Sequence, residues 1–378
     1  MKRALISLIL SFLVLLFSVM PAFALDGESI SAPSAILMEA STGKILFEKN
    51  SHEKRPCASI TKVMTLLLVF EAMDKGLLSL DDTITASAHA ASMGGSDIWL
   101  EEGETMSADD MIKATVVASA NDAAVALAEH ISGSEDALSE QMNARAKELG
   151  MDDTTFKNCN GLDEDGHLTS AYDVALMSRE LMKHEKIYDY TSIWLDYLRD
   201  GATQIVNTNK LLKTYNGITG LKTGTTDDAG CCMAASAERD GMTLLSVVLG
   251  CDTGKQRFAD SAALLDYGFA NYSIKELTLP EDLPESIEVN DGMSGNVELS
   301  CDVNSSFVID KTSADEIQCK ISLPESIDAP VDENQKVGKL IYKVGDEEQS
   351  FDITAVNAVD KTSFGLILGE LFNSLMTL

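Results

Sequence analysis

Basic residues are scarce in this chain. Its 378 residues include 29 Lys and Arg against 60 Asp and Glu, which gives a formal net charge of −31. Non-specific binding to nucleic acid needs clustered basic side chains, so this composition argues against a nucleic-acid partner. The acidity favours solubility instead, and any anionic substrate must be captured by a few local cations acting against the overall field.

Cysteines and metal-binding patterns are also sparse. Seven cysteines in a chain of this length are too few for a disulfide scaffold, and an odd number leaves at least one thiol free. Cys301 and Cys319 are one candidate pair, which spacing alone does not decide. There is no C-x-x-C motif, and the five histidines lack the short spacings typical of zinc sites. We therefore predict no metal site and no cofactor.

A targeting segment stands at the N-terminus. Lys2 and Arg3 precede an apolar run over residues 4–20, and Ala22-Phe23-Ala24 forms a small-x-small cleavage site. This pattern is typical of a secretory signal peptide, so residues 1–24 are excluded from the fold and the protein is expected to be exported. An uncleaved membrane anchor is the alternative.

The rest of the chain has the length and apolar content for two domains, with a change of composition near residue 275. Residues 25–275 mix helical and strand patterns, and an apolar stretch from Ser59 to Met73 predicts a helix buried on all sides. Four of the seven prolines lie beyond residue 275, where helical periodicity stops. The alternation of Ile317, Cys319 and Ile321 with polar residues is typical of a half-buried strand. Residues 276–358 are therefore predicted to form a small all-β domain.

The last segment, residues 359–378, has helical periodicity. From Phe364 to Met376, apolar side chains recur at i, i+3, i+4 and i+7 and share one face, while Glu370 and Asn373 fall elsewhere. The segment is short for crossing a bilayer, so an amphipathic helix on a membrane surface fits better. A helix that packs on its own protein is the alternative. With the signal peptide, this predicts a location at the outer face of the cytoplasmic membrane, or in the wall or periplasm.

Serine–lysine tetrads of the form S-x-x-K occur three times, at Ser41–Lys44, Ser51–Lys54 and Ser59–Lys62. The first falls in a predicted hairpin turn and the second in a polar loop. Only Ser59 begins a long apolar helix, on which residues three apart share a face, so that Lys62 Nζ can reach Ser59 Oγ. A single tetrad arises readily by chance, and its context selects the third as the candidate catalytic pair.

Two further motifs support this choice. Ser119-Ala120-Asn121 lies at a predicted helix junction, and Lys222-Thr223-Gly224 is the one K-T-G of the chain and lies in a predicted strand. A second S-x-N, at Ser294–Asn296, falls in the β-rich region and is interpreted as chance. The three motifs in this order are far more specific than any one of them, and the set is known from class A β-lactamases and penicillin-binding proteins.

The residue types suit a serine nucleophile activated by a lysine. A serine hydroxyl attacks poorly until a base removes its proton, and a lysine can be that base only when its pKa is lowered. Burial and a second cation both lower a lysine pKa; the apolar helix supplies burial for Lys62, and Lys222 is expected to supply the cation. The catalytic candidates are Ser59, Lys62 and Ser119, and Ser119 is placed to pass a proton to the leaving amine.

The other candidates bind substrate: Asn121, Lys222, Thr223, Gly224 and Thr225. Lys222 offers a charge to a terminal carboxylate, the two threonines add hydroxyl donors, and Asn121 can hold a substrate amide. The backbone N–H groups of Ser59 and Thr225 are expected to stabilise an oxyanion. A glycine at position 224 suits close approach by another backbone.

At these residues the chain resembles the low-molecular-mass penicillin-binding proteins, specifically the serine-type D-alanyl-D-alanine carboxypeptidases. Further landmarks extend the resemblance over nearly all of the chain after the signal: Thr42-Gly43-Lys44, Gly95-Ser96 with Trp99-Leu100, Asn143 with Leu149-Gly150-Met151, Asn160-Gly161-Leu162 and His167-Leu168-Thr169-Ser170. Arg257 matches an arginine that in this family helps to organise carboxylate binding near the K-T-G lysine. Cys57 departs from the usual proline and Thr219-Gly220 from the commoner Asp-Gly, and neither change removes a catalytic group.

The resemblance implies both a fold and an activity. The fold is the α/β (α+β) fold of penicillin-binding proteins and β-lactamases, with an antiparallel sheet flanked by helices, followed by the small β domain and an amphipathic anchor. The activity is hydrolysis of the terminal D-Ala-D-Ala bond of peptidoglycan stem pentapeptides through an acyl-enzyme at Ser59. β-Lactams are expected to acylate the same serine and to be released slowly.

Four alternatives stay open at this point. A β-lactamase needs a second base, for which Glu164 is a candidate within an acidic loop. A D,D-endopeptidase has the same fold and motifs. A non-catalytic sensor of wall peptides or β-lactams predicts the loss of a motif residue, and none is lost. A cysteine hydrolase built on Cys159 and His167 lacks a positioning motif.

Overall fold

The computed structural model describes Leu25, residues 27–313 and residues 316–369. The predicted signal peptide, residues 1–24, lies outside the described residues, and so does the predicted tail helix from residue 370 onwards. The chain divides into two compact units, one that ends at Tyr272 and one that begins at Ser273.

Within the described residues, the α-helices belong to the first unit, apart from a helical turn at residues 364–369. They are α1 (Lys62–Asp74), α2 (Ala88–Ala91), α3 (Ala108–Lys113), α4 (Asn121–Ser132), α5 (Glu135–Glu148), α6 (Ala171–Met182), α7 (Ile187–Thr191), α8 (Leu211–Thr214) and α9 (Gly254–Asn271). Short 3₁₀ helices span Gly27–Ser29 and Ala58–Thr61, and a π-helical turn spans Ala114–Ala118.

The strands of the first unit form one large antiparallel sheet and two short hairpin-like pairs. They are β1 (Ser34–Glu39), β2 (Ile45–Lys49), β3 (Thr83–Thr85), β4 (Thr105–Ser107), β5 (Leu195–Leu198), β6 (Thr203–Val206), β7 (Ile218–Thr226), β8 (Gly230–Arg239) and β9 (Met242–Cys251). The large sheet has the order β2-β1-β9-β8-β7, with every neighbour antiparallel. The strand that carries the K-T-G motif, β7, therefore stands at an edge of the sheet, where one side is open to a ligand.

Helices cover both faces of this sheet. Ile36 packs in the same hydrophobic cluster as the buried residues of α1. On the other face, a Cβ added to Gly268 of α9 would lie 2.4 Å from the Leu244 side chain and 3.0 Å from that of Leu37. Because successive strand residues point to opposite faces, Ile36 and Leu37 mark the two sides. The expected antiparallel sheet flanked by helices is confirmed.

The apolar helix after the S-x-x-K tetrad is buried as predicted, but it begins differently. The residues from Lys62 to Leu67 are all buried, in keeping with a helix inside the core. Ser59 itself lies in the 3₁₀ turn Ala58–Thr61, and α1 begins only at Lys62. A 3₁₀ turn places residues i and i+3 almost in line, so Ser59 and Lys62 lie on the same side of the chain.

The second unit is all-β within its described residues before the helical turn. Its strands are β10 (Tyr272–Glu276), β11 (Ser286–Asn290), β12 (Asn296–Cys301), β13 (Ser306–Asp310), β14 (Gln318–Ser322), β15 (Ser326–Asp328), β16 (Lys336–Val344) and β17 (Glu347–Ala355). Six of them form a sheet in the order β14-β16-β17-β12-β11-β15, and β10 pairs with β13. The small cores contain Ile287, Val289 and Val297 in one cluster and Phe307, Leu340 and Ile353 in another.

One detail of the β domain differs from the alternation predicted over residues 317–323. Ile321 is partly buried as expected, but Cys319 is exposed. The reason is that β14 stands at the edge of its sheet, where it covers little core. All seven cysteines are free, so the candidate Cys301–Cys319 disulfide is not formed.

Candidate active site

Lys62 reaches the serine three residues before it. Its Nζ lies 2.8 Å from Ser59 Oγ, 2.5 Å from Asn121 Oδ1 and 2.7 Å from the main-chain oxygen of Asn160. The lysine is fully buried, whereas Ser59 is partly exposed. The amine is thus held in one place against a hydroxyl that a substrate can approach.

Burial lowers the pKa of Lys62 to about 7, against the opposing effect of nearby acidic groups that include Asp122. An amine with this pKa is neutral in a large fraction of molecules at neutral pH, and a neutral amine can accept the proton of a serine hydroxyl.

The decoy tetrads are engaged elsewhere. Ser41 Oγ donates to the carboxylate of Glu39, and Ser51 Oγ donates to that of Glu48 at 2.9 Å. The lysine of the second tetrad, Lys54, contacts the main-chain oxygen of Asp152. Among the three tetrads, the contacts of the described residues therefore couple serine to lysine at Ser59 and Lys62.

Ser119 and Lys222 form a second coupled pair. Lys222 Nζ donates to Ser119 Oγ at 2.7 Å and to the main-chain oxygen of Thr223 at 3.1 Å. Both side chains are buried, and Ser119 adopts a left-handed conformation with φ of 61° where the π-helical turn meets α4. Such a conformation is costly for a residue with a side chain and often marks a functional position.

The two lysines also influence one another. Burial, followed by the charges of Lys62 and Arg257, holds the pKa of Lys222 well below its ordinary value. Two amines in one cleft do not readily carry two charges, so they titrate as a pair. When Lys62 is neutral the repulsion on Lys222 falls, while burial continues to lower the pKa of Lys222. The site therefore holds two buried amines whose pKa values are both below the ordinary value for lysine.

Asn121 contacts the base directly. Its Oδ1 accepts from Lys62 Nζ, and its Nδ2 donates to the main-chain oxygen of Gly94 at 2.7 Å. An amide carries two N–H donors, so one is left for the substrate contact that we predict from the sequence. The asparagine therefore fixes the lysine as well, a role that the motif alone did not indicate.

Arg257 lies beside the K-T-G strand. Its Nη1 donates to the main-chain oxygen of Gly224 and to Thr225 Oγ1, both at 2.8 Å. It belongs to the first turn of α9, which begins at Gly254. Its charge is therefore presented at the end of β7, next to the exposed Thr225.

The hydroxyl of Thr223 is engaged within the protein. Its hydroxyl is buried and donates to Thr208 Oγ1 at 2.7 Å. Thr208 has no recognisable signal in the sequence, since it lies in a loop before α8 and belongs to no motif. Thr225 is exposed and remains the better placed of the two hydroxyls for a ligand.

Two glycines allow backbones to meet next to the nucleophile. A Cβ on Gly224 would lie 2.6 Å from the main-chain oxygen of Cys57 and 3.0 Å from Ser59 N, so only glycine fits at this crossing. Gly161, with φ of +87°, would place a Cβ 2.0 Å from the main-chain oxygen of Ala58. The 3₁₀ turn that carries Ser59 is therefore clamped between β7 and the Asn160-Gly161 loop.

The cysteine-hydrolase alternative is not supported by the contacts. Cys159 Sγ donates to Glu135 Oε1 at 3.2 Å, whereas His167 Nε2 contacts Thr61 Oγ1 at 2.8 Å. Burial raises the pKa of Cys159 well above its usual range and lowers that of His167 to about 4. A protonated thiol and an imidazole that is engaged elsewhere do not form a nucleophile–base pair.

Glu164, the candidate second base of a β-lactamase, contacts Asn158 Nδ2 at 3.2 Å. It lines a surface cavity with Asp163, Asp165 and Asp228. A deacylating base has to lie against the acyl-enzyme, and among the described residues no hydrogen bond joins the Glu164 side chain to Ser59 or Lys62.

Comparisons with known proteins agree with this geometry. A family model described as D-alanyl-D-alanine carboxypeptidase matches residues 21–253, and one described as the C-terminal domain of penicillin-binding protein 5 matches residues 272–361. The D-alanyl-D-alanine carboxypeptidase DacF of Bacillus subtilis is 41% identical over 352 residues, which cover 91% of this chain and 90% of that protein.

Solved structures give the same result. Penicillin-binding protein 5 of Haemophilus influenzae superposes with a TM-score of 0.77 at 29% identity, over 89% of this chain and 100% of the other. Penicillin-binding protein D2 of Listeria monocytogenes, solved in its ampicillin-bound form, superposes with a TM-score of 0.59 at 34% identity, over 65% of this chain and 100% of the other.

Proposed function

Since the chain belongs to the D-alanyl-D-alanine carboxypeptidase family, we propose that it hydrolyses the bond between the last two D-alanines of peptidoglycan stem pentapeptides through an acyl-enzyme on Ser59. The observation that carries the assignment of roles is the contact of 2.8 Å between Lys62 Nζ and Ser59 Oγ, together with the lowered pKa of Lys62, about 7. A lysine in that state is a competent general base for the serine.

Acylation then follows from the contacts of the site. Lys62 takes the proton of Ser59 Oγ as the oxygen attacks the carbonyl carbon of the penultimate D-alanine. The N–H groups of Ser59 and Thr225 stabilise the oxyanion that forms. Ser119 passes its proton to the leaving nitrogen and is reprotonated from Lys222, with which it shares a hydrogen bond of 2.7 Å. Free D-alanine departs, Lys62 releases the proton it took from Ser59, and Lys222 regains the one it gave to Ser119, both by exchange with solvent. Water then attacks the acyl-enzyme, Lys62 takes its proton, and that proton returns to Ser59 Oγ as the acyl group leaves.

Recognition of the terminal carboxylate rests on the local cations. Lys222 lies in β7, and Arg257 contacts the end of that strand, in a protein whose formal net charge is −31. Thr225 adds an exposed hydroxyl at the same place. Charge-assisted hydrogen bonds of this kind are stronger than neutral ones and give the site its selectivity for a free chain end.

β-Lactams are proposed to acylate the same serine. The Listeria monocytogenes relative was solved with ampicillin bound, and its match covers 65% of this chain. Slow release is expected because the leaving nitrogen of an opened β-lactam stays attached to the acyl group and hinders the approach of water, whereas D-alanine departs. Glu164, the candidate second base, bonds to Asn158 rather than to Ser59 or Lys62.

The segments outside the catalytic domain have proposed roles as well. We propose that residues 1–24 are a signal peptide that exports the enzyme, that residues 25–275 and 276–358 are its two domains, and that residues 359–378 associate with the outer face of the cytoplasmic membrane. The helical turn at residues 364–369 exposes large apolar side chains, with Phe364 82% exposed, which supports an interfacial role. In the part of the chain that the structure describes, no helix is long and apolar enough to span a bilayer.

The assignment is tested with a pair of matched peptides. The protein from residue 25 onwards is expected to release one D-alanine from diacetyl-L-Lys-D-Ala-D-Ala. The same peptide with a C-terminal carboxamide keeps the scissile bond but lacks the charge, and its kcat/KM is expected to be about 10- to 100-fold lower because a charged hydrogen bond is worth about 1.5–3 kcal/mol. Release is measured by chromatography; no release from the first peptide, or equal rates on both, contradicts the proposal.

The tail proposal is tested by deletion. Removal of residues 363–378 is expected to move the enzyme from the membrane fraction to the soluble fraction, since it removes the exposed apolar face. D-alanine release by the truncated protein is expected to stay at the full-length rate, which controls for folding. A milder variant, Phe364→Ser with Leu368→Ser, is expected to leave a membrane-bound fraction between those of the full-length and the truncated protein. Unchanged membrane association of both variants would show that the tail is not the anchor.

A further inference from the structure

One of the acceptors of the Lys62 amine belongs to the main chain. Lys62 Nζ donates to the main-chain oxygen of Asn160 at 2.7 Å. A main-chain acceptor cannot be adjusted by rotating a side chain, so the orientation of the amine depends on whatever holds residues 159–160. From the side of α1, Thr65 Oγ1 donates to the main-chain oxygen of Cys159 at 2.5 Å.

The other side of this segment is held by a single carboxylate. Glu135 is the first residue of α5, and its Oε1 accepts from Cys159 N at 3.0 Å, from Asn160 Nδ2 at 3.1 Å and from Cys159 Sγ at 3.2 Å. Its Oε2 contacts His89 Nε2 at 2.7 Å. The Glu135 side chain is only 12% exposed, whereas that of His89 is 50% exposed. Three donors of two consecutive residues therefore converge on one oxygen.

The thiol of Cys159 fits this arrangement as a neutral donor. Burial, and after it the charge of Glu135, raise the pKa of Cys159 well above its usual range. The thiol therefore keeps its proton and gives the carboxylate a donor rather than a competing charge. The negative charge in this cluster belongs to Glu135.

We propose that Glu135 is a positioning residue for the catalytic base: its carboxylate holds the Cys159-Asn160 segment so that the Asn160 carbonyl aims the Lys62 amine at Ser59 Oγ. This inference rests on the proposed role of Lys62 as the base. A displacement of about 1 Å in reacting groups can lower a rate about 10²-fold. Loss of the Glu135 contacts to Cys159 and Asn160 can therefore slow the reaction by moving the Asn160 carbonyl that holds Lys62.

Glu135 also contributes an electrostatic effect on Lys62. The titratable groups that face the lysine are Asp122 from α4, Lys222 from β7, Cys57, Cys159 and Glu135. Burial is the main cause of the low pKa of Lys62, and the charge of Glu135 is among those that oppose it. Removing this charge without changing the shape of the side chain should therefore lower the pKa of Lys62 further.

Two substitutions separate these effects. Glu135→Ala removes the anchor and is expected to lower kcat for D-alanine release about 10- to 100-fold, with KM changed less than threefold. Glu135→Gln keeps a carbonyl oxygen for the donors of Cys159 and Asn160 and is expected to restore most of the rate. Because it lacks the charge, the acidic limb of its pH–rate profile is expected to lie at lower pH than that of the wild type. Asp136→Asn, in the same turn of α5 and exposed, is the matched control and should behave as the wild type.

The outcomes are distinct. A Glu135→Ala enzyme with the wild-type rate overturns the inference. A Glu135→Gln enzyme as slow as Glu135→Ala also overturns it. So does a loss of rate in both variants that follows the folded fraction in thermal melts while the pH–rate profile is unchanged, because such a result indicates a purely structural role for Glu135. Failure of the wild type to release D-alanine or to form a penicillin adduct on Ser59 counts against the proposed function instead.

Discussion

Replacing Ser59 with alanine is expected to lower kcat/KM for D-alanine release by about 10⁴-fold or more, because removal of a nucleophile eliminates the covalent route. The same change is expected to abolish the mass increase that follows exposure to penicillin. Ser59 is partly exposed and bonds to Lys62 through its hydroxyl, so the truncated side chain leaves the surrounding core in place. On one preparation, peptide hydrolysis measures the rate, intact mass measures the penicillin adduct, and a thermal melt shows whether the fold is retained.

The chain provides its own controls for this experiment. Ser41 and Ser51 also begin S-x-x-K tetrads, but their hydroxyls bond to Glu39 and Glu48. Ser41→Ala and Ser51→Ala are therefore expected to keep wild-type hydrolysis and the full penicillin adduct. An adduct that survives in Ser59→Ala, or that peptide mapping locates on another residue, would remove Ser59 from its role.

The contrast between the three tetrads shows what the sequence can predict. An S-x-x-K spacing is local, and local periodicity is enough to recognise that a buried helix follows only one of them. The same reasoning locates the helix junction predicted at Ser119-Ala120-Asn121: α4 is observed as Asn121–Ser132 and ends at Gly133 with φ of 86°. Helix bounds and the choice of tetrad can be predicted because both depend on the identity and spacing of side chains that are close in sequence.

The geometry that orients the base is harder to predict. Asn160 acts through its main-chain oxygen, and every residue has one, so no side-chain pattern marks it. Glu135 lies 25 residues away in the chain from Asn160, to which it bonds, and a glutamate in the first turn of a helix is ordinarily explained by the helix dipole. Such contacts depend on long-range packing of loops, and the sequence gives only an indirect signal in the Asn160-Gly161-Leu162 landmark.

Exposure within the β domain was mispredicted at Cys319 for a similar reason. Alternation of apolar and polar residues predicts which side chains share a face, and that part holds for Ile321. Whether the face is covered depends on the position of the strand in its sheet, and β14 is an edge strand. Strand order is a property of the whole domain, so one strand cannot reveal it.

The second large effect concerns pH. Lys62 has to be neutral to accept the proton of Ser59, and burial lowers its pKa to about 7. Below that pH the amine is protonated, so kcat/KM for acylation is expected to fall about tenfold for each further pH unit. Acylation by a fluorescent penicillin, followed from pH 5 to pH 8, records this limb.

Lys62→Arg isolates the acidic limb. Arginine keeps the positive charge but does not release its proton in proteins, so acylation is expected to fall about 10²- to 10⁴-fold at neutral pH, and the rise through pH 7 should disappear. Lys44→Arg and Lys54→Arg make the same substitution in the decoy tetrads and are expected to leave the profile unchanged. A wild-type profile that is flat between pH 5 and pH 8, or an acidic limb that persists in a folded Lys62→Arg enzyme, would show that another group removes the serine proton.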